Sequence, residues 1–457
     1  MTAYLTEAKC EDDPSFRLTS LIAFLERGRI SGCLLLPRCS DHGRTPTSMS
    51  PFPAVTMKTL TRISILGVVV LGLILANVHV PTSLAQFFRR DTSCKCFPGD
   101  ACWPSPTKWA SFNQSLGGKL IATVPIGSPC HYSAFGPYDE IQCEALRAAW
   151  TNPLTHDRTT SSMMSSCFVN RSCDAFSAPS DPCVVGAHVP YTVNATTAED
   201  YRKTLQFVRE KNIRLVIRNT GHDYLARSTG AGALALWMHH KKEIEVVDYD
   251  SKWYCGKAFK VGAGIQGFEA HAAASASGFV VATGTCPSVG IAGGFSQGAG
   301  LSPLSSMHGM AADNVLEWEV ITTSGEHLVA TPDKNSDLYW GLLGGGGGTY
   351  TAVLSMTVRA HPTYPVTAMN MTFTYGDNGV SKEDFYSVVA LFLTTLPVIV
   401  DTGASVIWLV AGNMFVITPV VAPNQSIEQV TALLKPTTDK LNELGISFFQ
   451  SPHFRSS

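Results

Sequence analysis

Charge is scarce in this chain of 457 residues, at 15%, and it nearly cancels to a formal net charge of −2. That balance removes any global electrostatic case for nucleic-acid binding. Other absences narrow the field further. The glycine run Gly344 to Gly348 is followed by Thr349, without the Gly-Lys-Ser/Thr ending that supplies a phosphate-binding lysine in a P-loop. Gly262-Ala263-Gly264-Ile265-Gln266-Gly267 has the G-x-G-x-x-G spacing, but Val280 to Pro287 holds no acidic residue for a nicotinamide ribose. No paired C-x-x-C spacing with histidines supports zinc, and no metal site is assigned.

No apolar run near the N-terminus has the length of an ordinary membrane span. Ile63 to Ala76 is uncharged and apolar but short for that purpose. Lys58 and Arg62 precede it, and Ser83-Leu84-Ala85 follows as a small-residue cleavage site. That order reads as a secretory signal peptide over residues 57–85, with an uncleaved anchor as the alternative. Met57 reads as the natural start, and residues 1–56 as an unassigned extension or a gene-model artefact. The mature chain is therefore expected in the secretory pathway or outside the cell, with no stable membrane span after cleavage.

Cysteine usage points the same way. Eight of the 13 cysteines fall between Cys94 and Cys183, so residues 86–180 read as a disulfide-tied lead-in of undetermined connectivity. Sequons at Asn113, Asn170, Asn194, Asn370 and Asn424 are candidate glycosylation sites.

Periodicity then predicts an α+β chain. Asp181 to Val193 reads as a strand with a turn, Thr196 to Asn212 as a helix capped by Thr197 with Asp200 three residues on, and Ile213 to Asn219 as a strand. That β-α-β order implies an α/β layer. Short β-branched strands and glycine-rich loops follow to about His361, with a hairpin turn at Thr323-Ser324-Gly325. Beyond Pro362 a βαββα order predicts an antiparallel sheet with covering helices, one ending at Pro397 and one interrupted by Pro436. The chain ends at Ser457, just after another apolar strand begins.

Two segments carry candidate chemistry. Arg218 to Gly230 follows an apolar strand. Gly221 lets its backbone approach a pyrophosphate, Asn219, Thr220, Ser228 and Thr229 add donors, Arg218 adds positive charge, and His222 beside Asp223 offers a nucleophilic imidazole. Gly284 to Gly300 holds Cys286, Pro287, Gly290, Gly293 and Gly294 in a run that can lie flat against a ring system. Taken singly, a histidine in a glycine loop is more often a hydrogen-bonding residue, and a cysteine in a secreted chain more often a disulfide partner. Their joint occurrence at strand ends favours a site.

These segments, with Asp313 to Pro362, resemble the flavin domain of the vanillyl-alcohol-oxidase superfamily in its berberine-bridge-enzyme-like branch. The resemblance covers roughly Cys94 to Phe449. It implies a PCMH-type FAD-binding domain of two α/β subdomains over 181–363 and a substrate domain over 364–457. It implies covalent FAD, with His222 on the flavin 8α-methyl and Cys286 on ring carbon 6, a double attachment that raises the ring potential. Arg218, Asn219, Thr220, Gly221, Asp223, Ser228, Thr229, Pro287, Gly290, Gly293 and Gly294 are the further expected cofactor contacts. The implied partners are a small-molecule substrate and molecular oxygen.

The opening Cys94 to Gly118 resembles secreted fungal members of this branch, a group with isoamyl-alcohol-oxidase-like proteins and the chanoclavine-I synthases of ergot alkaloid assembly. The latter likeness implies oxidative cyclisation of an N-methylated, prenylated tryptophan. An alcohol or oligosaccharide oxidase on the same scaffold is the alternative enzyme, and an inactive glycoprotein that keeps the fold is the alternative from another class. Family members continue for about a further hundred residues, so the substrate domain is expected to be incomplete and the catalytic base is left unassigned. Of the other polar residues, His239-His240 with Lys241-Lys242 reads as a solvated turn. His308 reads as a residue facing the flavin or as a structural partner. Tyr224 reads as a site wall or a packed aromatic, and Trp318 and Trp408 as core.

Overall fold

The structure is a computed structural model that describes residues 94–163, 169–376 and 379–455. The expected extension, signal peptide and Cys167 lie outside the described residues.

The first layer holds helices α1 (Pro106–Ser115), α2 (Glu140–Ala149), α3 (Pro153–Asp157) and α4 (Ala198–Glu210) with strands β1 (Leu120–Ala122), β2 (Tyr191–Asn194), β3 (Arg214–Arg218) and β4 (Ala233–Trp237). Its sheet order is β1-β2-β4-β3, with β4 parallel to both β2 and β3. Every residue of β4, ALALW, is buried, as expected of a central parallel strand covered on both faces. Thr197 and Asp200 close a reciprocal capping box on α4, so two backbone donors at the helix start are satisfied locally. The helix then buries Tyr201, Leu205, Phe207 and Val208. The strand expected over Asp181 to Val193 shrinks to Tyr191–Asn194. Gly186 sits at φ +51 and Pro190 has no N–H, so the preceding stretch turns instead of pairing.

The second layer runs through β5 (Ile244–Asp250), β6 (Cys255–Gly262), α5 (Gly267–Ala276), β7 (Phe279–Val280), α6 (Ser305–His308), β8 (Val315–Thr322), β9 (His327–Ala330), α7 (Ser336–Leu342), β10 (Thr351–Arg359) and β11 (His361–Pro362). Its five-stranded antiparallel sheet has the order β5-β6-β10-β8-β9. Leu234 and Leu236 of the first layer share one core with Phe259, Trp318, Val320 and Met356 of the second.

The third unit holds β12 (Val366–Thr374), α8 (Lys382–Val400), β13 (Ser405–Ala411), β14 (Met414–Pro423), α9 (Ile427–Glu443) and β15 (Phe448–Arg455). The antiparallel order is β13-β14-β12-β15. Alternation along β12 sends Met369, Met371 and Phe373 into a separate core with Phe385 and Phe392 of α8 and Leu434 of α9. Both prolines expected to end or break these helices lie inside them: α8 continues past Pro397, and α9 runs unbroken through Pro436. An interior proline costs about 3 kcal/mol. In α9 the buried stripe Val430, Leu434 and Leu441 offsets it, at about 1.5–3 kcal/mol per buried aliphatic side chain.

Among the described residues, disulfides Cys96–Cys102, Cys130–Cys143 and Cys173–Cys183 tie the lead-in together and to the segment just after it. Cys94 and Cys255 are exposed thiols.

Candidate functional site

The first expected loop leaves the end of β3. Gly221 turns it at φ +83, and a Cβ there would stand 2.7 Å from the Arg218 guanidinium. Only glycine serves both demands. Arg218 is not the open phosphate ligand that sequence reasoning expected. Its side chain is fully buried and donates to the carbonyls of Ser162 (2.6 Å), Thr159 (3.0 Å), His156 (3.3 Å) and Ser228 (3.5 Å). A buried guanidinium needs acceptors, and the backbone that follows α3 supplies them. Burial pulls its pKa down to about 10. Asp223 is likewise spent on its own loop, accepting from the N–H groups of Leu225 (2.8 Å), Ser228 (3.0 Å) and Arg227. Thr229 accepts from Val189 N–H at 3.3 Å, and Thr220 is buried.

The second loop meets the first at a three-residue contact. His222 Nε2 lies 2.8 Å from Ser288 Oγ and 3.9 Å from Cys286 Sγ. Ser288 Oγ is 3.5 Å from the same sulfur. Burial lowers the His222 pKa to about 4, with smaller contributions from His156 and Arg218, so the imidazole is neutral at ordinary pH. Cys286 is disulfide-bonded, so any thioether at this sulfur first requires that bond to open. Gln266, at the N-cap of α5, donates to Ser288 O (2.8 Å) and Asp157 (2.6 Å), while Lys242 donates to its Oε1 (3.2 Å).

Beside this contact the backbone forms a cradle. Asn219 donates to Ala263 O at 2.6 Å and lies against Gly290 and Gly293, where an added Cβ would come within 2.5 and 2.9 Å of its amide. Its Oδ1 is buried without a hydrogen-bond partner. Gly294 is exposed and a Cβ there would meet nothing within 4 Å. The five-glycine run packs against this turn: a Cβ at Gly347 would stand 2.8 Å from Gly294 Cα. Gln297 ties the two together, donating to the carbonyls of Ala292 and Gly293 and accepting from Gly346 N–H through its own carbonyl. These features suit a group that needs close backbone approach and hydrogen-bond donors. Ser288, Gln266, Gln297 and Gly344 to Gly348 escaped the sequence reading. The glycine run was visible, but its partner loop is 50 positions away in sequence and adjacent only in the fold.

Other candidates resolve plainly. His308 hydrogen-bonds Tyr364 OH (3.2 Å) and stacks on His361, ring centroids 3.8 Å apart, so its structural role is explicit. Tyr224 is exposed and Trp318 is wholly buried. Trp408 packs, partly buried, against the third unit's core. The expected solvated turn is corrected at His239, which is buried against Trp237, and at Lys242, which bonds Glu269 and Gly264 O at 2.7 Å each.

The fold and this site define a class: an α+β flavoprotein with a PCMH-type FAD-binding domain. The FAD binding domain family matches residues 189–331. The FAD-linked oxidoreductase sor8 of Hypocrea jecorina is 47% identical over 80% of this chain and 63% of its own length. The FAD-linked oxidoreductase sthB of Phaeosphaeria nodorum is 43% identical over 64% of this chain and 94% of its own. The crystal structure of the VAO-type flavoprotein MtVAO615 from Myceliophthora thermophila C1 superposes with a TM-score of 0.75 at 46% identity, covering 80% of this chain and 66% of that one. The chain belongs to the FAD-linked oxidoreductases of the vanillyl-alcohol-oxidase type. It spans less than two thirds of the length of sor8.

Proposed function

We propose that this chain binds FAD between the His222 loop and the glycine cradle and oxidises a small-molecule substrate of fungal secondary metabolism. The observation that carries the reading is the convergence of His222, Cys286 and Ser288 beside a backbone stripped of Cβ atoms at Gly290, Gly293, Gly294 and Gly347. Asn219, Thr220 and Gly221 would face the cofactor from the first loop, and Pro287 and the glycines from the second. His222 and Cys286 would hold the flavin covalently, the sulfur only after reduction of its disulfide. Arg218, Asp223, Ser228 and Thr229 would act behind the contact, holding the loop in shape. When bound, the flavin would accept a hydride from substrate and pass the electrons to molecular oxygen.

The three disulfides support a secretory route. For the substrate, likeness of the opening segment to the chanoclavine-I synthase group favours an N-methylated, prenylated tryptophan closed oxidatively to chanoclavine-I. Neither sor8 nor sthB is named for a substrate. Turnover with that indole beside simple alcohols and oligosaccharides is therefore the assay for substrate class. The test of the cofactor reading is direct. Protein expressed through a secretory host is precipitated with acid and the pellet examined for flavin absorbance. A yellow pellet is expected. A colourless pellet from protein that was yellow before precipitation removes covalent attachment, and native protein without flavin removes the reading altogether.

A further inference from the structure

The two cofactor loops touch at His222 and Ser288, but a third segment braces them both. It is the stretch of the lead-in from Trp150 to Ser162, which runs through α3 behind the site. His156 is wholly buried and closes this stretch on itself, with Nε2 2.7 Å from Trp150 O and Nδ1 2.6 Å from Ser162 Oγ. The carbonyls of His156, Thr159 and Ser162 take the Arg218 guanidinium, which also donates to Ser228 O. Through that one side chain the lead-in holds the first loop at its start and on its far side.

Asp157, the last residue of α3, reaches the second loop. It is 1% exposed, and its Oδ2 accepts from Gln266 Nε2 at 2.6 Å. The same nitrogen donates to Ser288 O at 2.8 Å. A primary amide nitrogen carries two hydrogens, so these acceptors use both. The amide oxygen faces Lys242 Nζ at 3.2 Å, and Lys242 is itself held by Glu269 and Gly264 O. Gln266 N–H bonds Glu269 Oε2 at 2.8 Å, which fixes the backbone at the same point. Gln266 is thus a rigid link from the lead-in to the second loop.

For stability alone, Asp157 is a poor choice. Its Oδ1 is buried without a hydrogen-bond partner, and burial pushes its carboxyl above the usual range. Such an atom costs stability that an apolar side chain of similar size would not. What the carboxyl supplies in return is the acceptor for Gln266. We propose that Asp157 is a positioning residue for the flavin site: acting through Gln266, it fixes the Ser288 segment relative to the His222 loop and so sets the gap that receives FAD. This inference rests on the reading of that gap as the FAD site. A gap held open in advance spares the cofactor the cost of ordering the loops.

The test compares full-length wild type with Asp157→Asn, which keeps an acceptor for Gln266, and Asp157→Leu, which removes it at similar size. FAD affinity is read from quenching of flavin fluorescence as apo-protein is added, the flavin environment from visible circular dichroism of the holoprotein, and the fold from thermal melting. Loss of one net hydrogen bond weakens binding on the order of tenfold. We expect that loss and an altered flavin dichroism in Asp157→Leu, and near-wild-type values in Asp157→Asn. In a Gln266→Met background, Asp157→Leu should cost no further affinity, because the link is already cut. The same loss in both backgrounds, or equal affinities in the asparagine and leucine variants, overturns the role of Asp157 while the wild type still binds flavin. If Asp157→Leu does not fold, Gln266→Met decides by itself, and wild-type flavin dichroism in that variant overturns the proposal. Wild-type protein that binds no FAD overturns the cofactor reading, and this inference with it.

Discussion

Gly294→Ala separates the fold from the cofactor more sharply than any other change in this site. The glycine is exposed, its φ lies outside the left-handed range, and a Cβ built on it meets no protein atom within 4 Å. The apo-protein should therefore accept the methyl group, with stability altered by no more than about 1 kcal/mol, since alanine also makes the unfolded chain less flexible. The open space is the same space a flavin would occupy if it lay on the turn from Gly290 to Gly294. A methyl forced into a close-packed contact costs about 1–3 kcal/mol, which weakens FAD binding by about 5- to 150-fold. The assay pairs a urea midpoint on apo-protein with the flavin-to-protein absorbance ratio over an FAD titration. Gly347→Ala is the contrast, since its Cβ would strike Gly294 Cα at 2.8 Å and should destabilise the fold itself. Wild-type stability with wild-type FAD affinity in Gly294→Ala would refute the placement of the cofactor on this turn.

Arg218→Met should lower the unfolding free energy by about 3–5 kcal/mol, because it strands the carbonyls of residues 156 to 162 that the guanidinium now serves; a change under 1 kcal/mol in denaturant melts would contradict that buried role. Burial depresses the pKa of His222 and of His361 to about 4, against about 6.5 in an unfolded chain, so the unfolded state takes up protons first as pH falls. Stability from these groups is complete above about pH 6.5 and is lost progressively toward pH 4. Urea midpoints of His361→Asn should fall less steeply than wild type between those values, and parallel curves would remove His361 from the account. Among the sequons, Asn170 and Asn424 are exposed, whereas Asn113 accepts from Leu120 N–H, Asn194 bonds His240 and Asn370 sits mid-strand between β14 and β15. Endoglycosidase treatment followed by peptide mapping should find glycan at the first two, and occupancy confined to Asn370 would contradict this accessibility argument.

Much of the architecture was legible because local rules and tertiary packing agree. The Thr197–Asp200 capping box placed α4, and the βαββα order beyond Pro362 predicted the antiparallel sheet with its covering helices. Pro397 and Pro436 misled because propensity is local, whereas the buried stripes that keep α8 and α9 continuous belong to the packed sheet.

The site divides along the same line. Residue order alone determined that a histidine and a cysteine would stand in glycine-rich loops after apolar strands, since glycine spacing and hydrophobic runs are properties of the chain. Only the tertiary structure decided that these loops meet at Ser288, that Arg218 turns inward to buried carbonyls, and that Gly344 to Gly348 packs on Gly294. Those contacts join segments from 50 to more than 60 positions apart, and what each residue faces there is set by the folding of two sheets around one core.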